Sequence, residues 1–547
     1  MSLDRSRAAP ALLTLGWAAG ALACSRLDAA AALVPALGSL RGPLGAALVL
    51  LALAVAARQL WGPAGAFPDR EVPAAWAFAV PAFVFLAIGL FYTTRLRVSG
   101  DEPHYLLMAQ SLWREGDLDL RDNLERGDFR EYTPGPVVPH FAAPRRDGRP
   151  FPAHSAGLPA LLAPLYAVGG RPAVVVGLAL VGAGVTVLVH GQARRIVPGT
   201  GAATAAWAAA AGPPLLFYAF HVYTEVPSAA ALAGALLLVE RARFPASPDR
   251  GMARGAAWPA AGAGLLAGAL PWLHLKMAPA CLVLALVAGV RLRGAPLLTF
   301  AAAGLIPLAG LAVFQHSVFG SASPLSAYGG FPRDASGDPL RAGAGLLLDR
   351  SFGLLPHAPV FLLAAPGALY LARRRLTAAL PAMAVGAAVL APVLVWRMWW
   401  GGQCPPGRFL VPLVPLLGVG VGGCVERGSG LARWLWPLAG LGCGLALFMA
   451  ARPAELMLLN RGARPTRVWA ALEGQHPVAR YLPSLVSADA AEVKVALVWG
   501  AALSLLLALD ATARSRAAVD RLFRGLGLPL AMLLAVSLAV DYWARAG

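Results

Sequence analysis

With 547 residues, 58% of them hydrophobic and only 14% charged, and a mean hydropathy of +0.63, the chain is too apolar for a soluble multidomain protein and reads as an integral membrane protein. Its formal net charge of +18 does not indicate nucleic acid, because the basic residues stand in small clusters at the ends of apolar segments, without the aromatic interleaving of a binding groove. Five cysteines, Cys24, Cys281, Cys404, Cys424 and Cys443, lie in or beside apolar segments without paired spacing and point to neither a disulfide framework nor a zinc site.

Apolar segments near the length needed to cross hydrocarbon fall at about 8–24, 43–61, 73–95, 172–190, 200–218, 222–240, 255–271, 277–290, 295–316, 352–372, 377–398, 409–424, 434–450, 493–511 and 526–543. They predict an all-α, polytopic transmembrane bundle of about 12–15 helices. The first segment follows Arg5 and Arg7 and runs on into further spans without a small-residue cleavage site, so it is expected to be retained as a helix. Residues 1–72 carry the first two helices, 73–450 the main membrane unit, 451–491 a short polar segment, and 492–547 the last helices.

Between the third and fourth segments lies a loop, 97–155, with ten of the chain's 28 acidic residues. It opens on Ser-Gly-Asp-Glu-Pro-His-Tyr, in which Asp101, His104, Tyr105 and Met108 share one helical face. Six prolines between Asp128 and Ser155 predict an irregular course held against something else. Later turns place His221, Tyr223 and Glu225 in His-Val-Tyr-Thr-Glu, Lys276 in Trp-Leu-His-Leu-Lys, and Arg408 after Pro405, Pro406 and Gly407.

If the spans alternate, Arg194 and Arg195; Arg241, Arg243, Arg250 and Arg254; Arg291 and Arg293; Arg373 to Arg375; Arg427 and Arg433; and Arg514, Arg516, Arg521 and Arg524 all fall on one side. The positive-inside rule makes that side cytoplasmic. The acidic loop then faces outward, as do eight of the nine histidines, with only His190 at an inward end.

Each candidate residue has two readings. Asp101 and Glu102 stand together in a charge-poor membrane protein, where carboxylates are costly. Asp101 suits a helix N-cap, but it also suits a general base in a partly desolvated site. Glu225 opens an apolar helix whose dipole stabilises an anion, and its neighbours His221 and Tyr223 favour a place in the same site. Lys276, one of only two lysines, either snorkels to the interface or binds phosphate. Arg408 lies apart from the inward arginine clusters, which calls for an anionic partner such as a lipid phosphate. Asp101, His104, His221 and Glu225 together offer mixed O and N donors, but no spacing fixes a metal site, and the metal stays open.

At these residues the chain resembles the GT-C superfamily of integral membrane glycosyltransferases, the class containing protein O-mannosyltransferases and lipid A aminoarabinose transferases. The resemblance spans about residues 73–450. It rests on the acidic pair in Gly-Asp-Glu-Pro-His-Tyr-Leu, the acid-bearing turn at 221–228, the lysine of 272–276, and the stretches 347–360 and 399–415. Two extra N-terminal helices and the small 451–491 segment depart from that pattern, so no separate acceptor-reading domain is evident. The resemblance implies a polyprenyl-phosphate-linked sugar as donor and a cell-envelope glycan, lipid or protein as acceptor. It further implies an inverting transfer on the extracytoplasmic face of the plasma membrane. In that scheme Asp101 is the base and Glu102 orients the acceptor. Lys276 and Arg408 meet the donor phosphate, while Glu225, His104 and His221 position the acceptor or a divalent ion. The competing class is a multi-pass transporter or lipid flippase, in which the same charges line a path. A third is a non-catalytic membrane scaffold, which leaves the acidic pair without a role.

Reporter fusions are expected to place positions near 120, 335 and 470 outside the cytoplasm and positions near 247, 374 and 518 inside. A cytoplasmic signal from the 97–155 loop would turn its carboxylates to the wrong compartment for this chemistry.

Overall fold

The computed structural model describes residues 5–546 apart from 62–71, 97, 99, 134, 143–146, 149–150, 198, 245–251, 329–333, 453–466, 474–475, 488, 514–518 and 520–526. Arg250, Arg514, Arg516, Arg521 and Arg524 of the predicted inward clusters, and much of the 451–491 segment, lie outside the described residues.

Among the described residues, regular structure is helical, with one isolated β-bridge between Phe141 and Pro152. This is what apolar spans require, since a helix satisfies its backbone groups internally where no water is available. The longer helices are α1 Arg5–Arg26, α2 Pro43–Trp61, α3 Ala74–Arg95, α4 Glu102–Arg114, α5 Gly157–Ile196, α6 Thr200–Ala210, α7 Glu225–Arg243, α8 Met252–Leu273 and α9 Ala278–Arg291. They continue with α10 Ala295–Phe319, α11 Pro339–Leu348, α12 Ala364–Arg374, α13 Leu376–Leu394, α14 Val414–Arg427, α15 Leu435–Ala451, α16 Ala490–Thr512 and α17 Gly527–Ala546.

Eight helices among the described residues are long and apolar enough to cross a membrane, or nine if the bent pair Pro35–Arg41 and Pro43–Ala57 forms one span. Some of the other predicted segments form shorter helices. The 200–218 run divides into α6, of 11 residues, and a four-residue turn at Leu215–Tyr218. The 352–372 run breaks into Leu354–His357, a 3₁₀ turn at Pro359–Leu363, and α12. At 1.5 Å per residue, α9's 14 residues reach only about 21 Å, short of the roughly 30 Å hydrocarbon core. In the other direction α5 is longer than the predicted 172–190 segment. Its 40 residues are bent at Gly169 and Gly170, where the backbone leaves helical geometry.

Three segments begin at one cluster of side chains and run on into helices that end in arginine. The helix α7 starts at Glu225 and finishes at Arg241 and Arg243. The 3₁₀ turn Leu275–Met277 carries Lys276 into α9, which ends at Arg291. The 3₁₀ turn Arg408–Leu413 leads into α14, which ends at Arg427. At the far end Arg291 meets Glu240 at 3.7 Å. The near end therefore gathers Glu225, Lys276 and Arg408, while arginines close the C-termini, where the helix dipole favours cations.

Packing at the near end is built around α4. Tyr105, Leu106, Leu107 and Met108 are buried with Val174 and Leu178 of α5, Phe151, Leu158 and Val222 in a hydrophobic cluster separate from the main core. Five of the loop's ten acids pair locally: Arg126 pairs with Glu115, Asp122 and Asp128, Arg121 with Asp119, and Arg114 with Glu131. Asp101 and Glu102, at the start of α4, meet Arg408 and Val222 N instead.

Candidate active site

Asp101 occupies the N-cap position of α4, but its side chain makes no capping hydrogen bond. Its backbone oxygen starts the helix, accepting from His104 N and Tyr105 N, and the carboxylate is left for another partner. Arg408 Nη2 donates to Asp101 Oδ2 at 2.5 Å. The same guanidinium reaches Glu225 Oε1 through Nε at 3.1 Å and donates from Nη1 to Gly401 O at 2.7 Å. Lys276 Nζ donates to the same Glu225 oxygen at 2.8 Å, and the Thr224 hydroxyl lies 3.4 Å from the other. Two carboxylates and two cations, separated by up to 307 residues in sequence, thus form one connected chain, Asp101–Arg408–Glu225–Lys276.

Burial makes this arrangement costly to disturb. Glu225 is fully buried and Arg408 is 7% exposed. Aromatic faces complete the enclosure, with the Arg408 guanidinium 4.3 Å from the Tyr223 ring centroid and Lys276 Nζ 4.1 Å from that of Phe409, both within cation–π range. The chain can pass so closely only with glycine at two turns. Gly100 has φ +58°, and a Cβ there would lie 2.4 Å from both Gln403 O and the Tyr223 hydroxyl. Gly401 has φ +87°, and a Cβ would press against Arg408 Cδ at 2.8 Å. Both are left-handed conformations that side chains disfavour.

Desolvation opposes ionisation of Asp101, but the Arg408 charge and the hydrogen bond from Arg408 outweigh it and hold the carboxyl far below its usual range. Because its folded value lies below the unfolded one, the stabilisation from this pair is present above the unfolded value near 4. It is lost only as pH falls through the depressed value, so Asp101 is ionised at every pH near neutrality.

Glu102 follows a different path from its neighbour. It is 1% exposed and accepts a hydrogen bond from Val222 N at 3.0 Å, tying the start of α4 to the His-Val-Tyr-Thr-Glu turn. His221 belongs to this second pocket, with Nε2 3.0 Å from the Tyr92 hydroxyl and Nδ1 2.5 Å from Phe217 O. Arg171, at the bend in α5, joins it: Nη1 donates to Leu96 O at 2.6 Å, and the guanidinium lies 5.8 Å from the Tyr92 ring centroid. Its Nε and Nη2 have no hydrogen-bond partner among the described residues.

His104 forms a third group. Its ring stacks on His140 and His154, with centroids 4.2 and 5.0 Å away, and Tyr105 leans on His154 at 4.9 Å. Burial lowers His104 to about 3 and His154 to about 4, so both are neutral at pH 7. Beside His154 a cavity of about 40 Å³ is lined by Trp272, Leu275, Gln315 and Tyr328, with room for a few water molecules but not a sugar. Asp101, His104, His221 and Glu225 therefore do not converge on one ion among the described residues; the histidines that gather are His104, His140 and His154. Arg171, His140 and His154 were not singled out from the sequence as site residues. A lone arginine inside the apolar stretch 157–193 was the available signal for Arg171.

No protein-family model and no curated protein matches this chain. Among solved structures it is similar to ArnT from Cupriavidus metallidurans in the apo state, at 16% identity and a TM-score of 0.46, over 85% of this chain and 76% of that one. The same protein bound to undecaprenyl phosphate gives 17% identity and a TM-score of 0.46, over 87% and 79%. An oligosaccharyltransferase from Archaeoglobus fulgidus in the apo form gives 12% identity and a TM-score of 0.39, over 73% and 54%.

Glu225 bridges both cations through one oxygen, so its removal strands Lys276 and leaves Arg408 with Asp101 and Gly401 O alone. Glu225→Leu is expected to destabilise the protein by about 3–5 kcal/mol, read as a lower thermal midpoint in detergent. An unchanged midpoint would mean that solvent or lipid already neutralises Lys276 and Arg408.

Proposed function

We propose that this chain is a membrane glycosyltransferase that moves a sugar from a polyprenyl-phosphate-linked donor to a hydroxyl acceptor on the extracytoplasmic side. The observation that carries this reading is the linked set of Asp101, Arg408, Glu225 and Lys276 at one end of the bundle. It supplies a carboxylate next to two cations, the chemistry that proton removal and phosphate departure require. The acceptor oxygen attacks the anomeric carbon from the face opposite the phosphate, and its proton passes to Asp101. The bond between that carbon and the phosphate oxygen breaks, and the lipid phosphate leaves against Lys276 and Arg408.

In this scheme the cations exchange partners. While Arg408 is paired with Asp101, the carboxylate is a weak base. A phosphate that draws the guanidinium toward itself weakens that pairing and raises the proton affinity of Asp101. Base strength is thus coupled to donor binding, which restrains proton transfer until the donor is in place. Glu102 acts one step back, fixing the turn that carries Tyr223 and Glu225 through Val222 N. The acceptor is a cell-envelope glycan, lipid or protein. Transport across the bilayer is less well served, because on this reading the charges gather at one face of the membrane rather than near its midplane.

The test is sugar release or transfer from a polyprenyl-phosphate sugar by the purified protein. Asp101→Asn keeps the shape of the side chain but weakens its proton-accepting power, and is expected to lower turnover by roughly a hundredfold or more while the protein stays folded. Near-normal turnover in this variant would remove Asp101 from the role of base. Absence of donor turnover by the wild type, with candidate acceptors present, would remove the transferase reading itself.

A further inference from the structure

The proline-rich stretch of the loop is drawn back on itself by the bridge between Phe141 and Pro152. Ala142 N donates to Phe151 O at 2.7 Å, and Ala153 N donates to His140 O at 2.8 Å. This pairing brings His140 and His154 together across fourteen residues, with His140 Nδ1 and His154 Nε2 3.4 Å apart. Both rings lie on His104, which α4 presents from the other side, and one ring nitrogen from each residue falls within 4.8 Å of the other two.

We propose that His104, His140 and His154 form a binding site for a first-row transition-metal dication, with zinc the best match, which fastens the bridged segments around Phe141 and Pro152 onto α4. Three imidazoles and no carboxylate are donors for zinc, copper or nickel rather than magnesium or calcium. Two nitrogens on one tetrahedral zinc, each about 2.05 Å from the metal, stand about 3.3 Å apart, close to the observed His140–His154 separation. His104 closes the triangle by side-chain rotation, leaving the fourth position to water or a substrate oxygen. His104 is buried, His154 half-buried and His140 exposed, so the site has an inner wall and a solvent-side entry. The alternative is a three-ring stack held by the His140–His154 hydrogen bond alone. The proposal is independent of the transferase reading, because its measurements need no sugar donor.

The full chain, purified in detergent, stripped with a chelator and dialysed, is titrated with Zn²⁺ against a chromophoric competitor and, separately, with Co²⁺ as a spectroscopic probe. One equivalent of zinc is expected, with a Co²⁺ absorption spectrum of tetrahedral character and a zinc-dependent rise in thermal midpoint. His140→Ala and His154→Ala should each weaken zinc binding on the order of tenfold or more and abolish the thermal rise. His476→Ala, whose imidazole bonds to Tyr481 elsewhere in the fold, should bind as the wild type does. His140→Asn, a polar replacement at the exposed position, should lose zinc while retaining the metal-free thermal midpoint. Failure of the wild type to take up one equivalent, or undiminished affinity in the His140 and His154 variants, would overturn the proposal and leave the ring stack as the explanation.

Discussion

Arg408 lies between Asp101 and Glu225, and the order at the near end of the bundle depends on that placement. A buried guanidinium is tolerable only if its donors are matched, and here they are shared among Asp101, Glu225 and the backbone oxygen of Gly401. Those partners belong to the start of α4, the start of α7 and the turn before α14. One side chain thus fixes three segments that the sequence separates widely. Lys276 brings in a fourth through the shared Glu225 oxygen.

An arrangement with two negative and two positive groups is neutral as a set yet retains strong local fields. In the proposed reaction it would receive the singly charged phosphodiester of the donor, because the cations can redistribute among carboxylate and phosphate partners. Removing one member is costly for the same reason that the set persists: each charge left behind faces apolar and aromatic surroundings such as Phe409 and Tyr223. The helix directions add to this, with Glu225 at the N-terminus of α7 and the arginines at the C-termini of α7, α9 and α14, each on the favourable end of its dipole.

The helical class and the residues of the charge network were legible in the sequence because both violate expectation locally. Long apolar runs mark spans, while Asp101, Lys276 and Arg408 stand out against a charge-poor background. Partnership was not legible. Asp101 and Glu102 are adjacent, yet the first start of a helix sends successive side chains in directions about 100° apart, so one meets Arg408 and the other Val222 N. His221 was grouped with Glu225 by proximity in sequence, but the turn at 219–224 directs its ring to Tyr92. The role of His140 and His154 depends on a single bridge in a proline-rich stretch, which has no periodic pattern to read. The division of 352–372 and the length of α5 were hidden because hydropathy reports burial in apolar surroundings and is blind to where the backbone bends.

The central claim is that Lys276 and Arg408 exchange part of their carboxylate pairing for a lipid phosphate. It is tested most directly by measuring the affinity of free polyprenyl phosphate for the purified wild type, Lys276→Met and Arg408→Gln at fixed ionic strength. Loss of one charge-assisted contact of about 2 kcal/mol predicts roughly thirtyfold weaker binding in each variant, with Arg408→Lys recovering only part because a two-pronged donor becomes a point charge. Lipid affinity that is the same in the wild type and both variants would contradict the account.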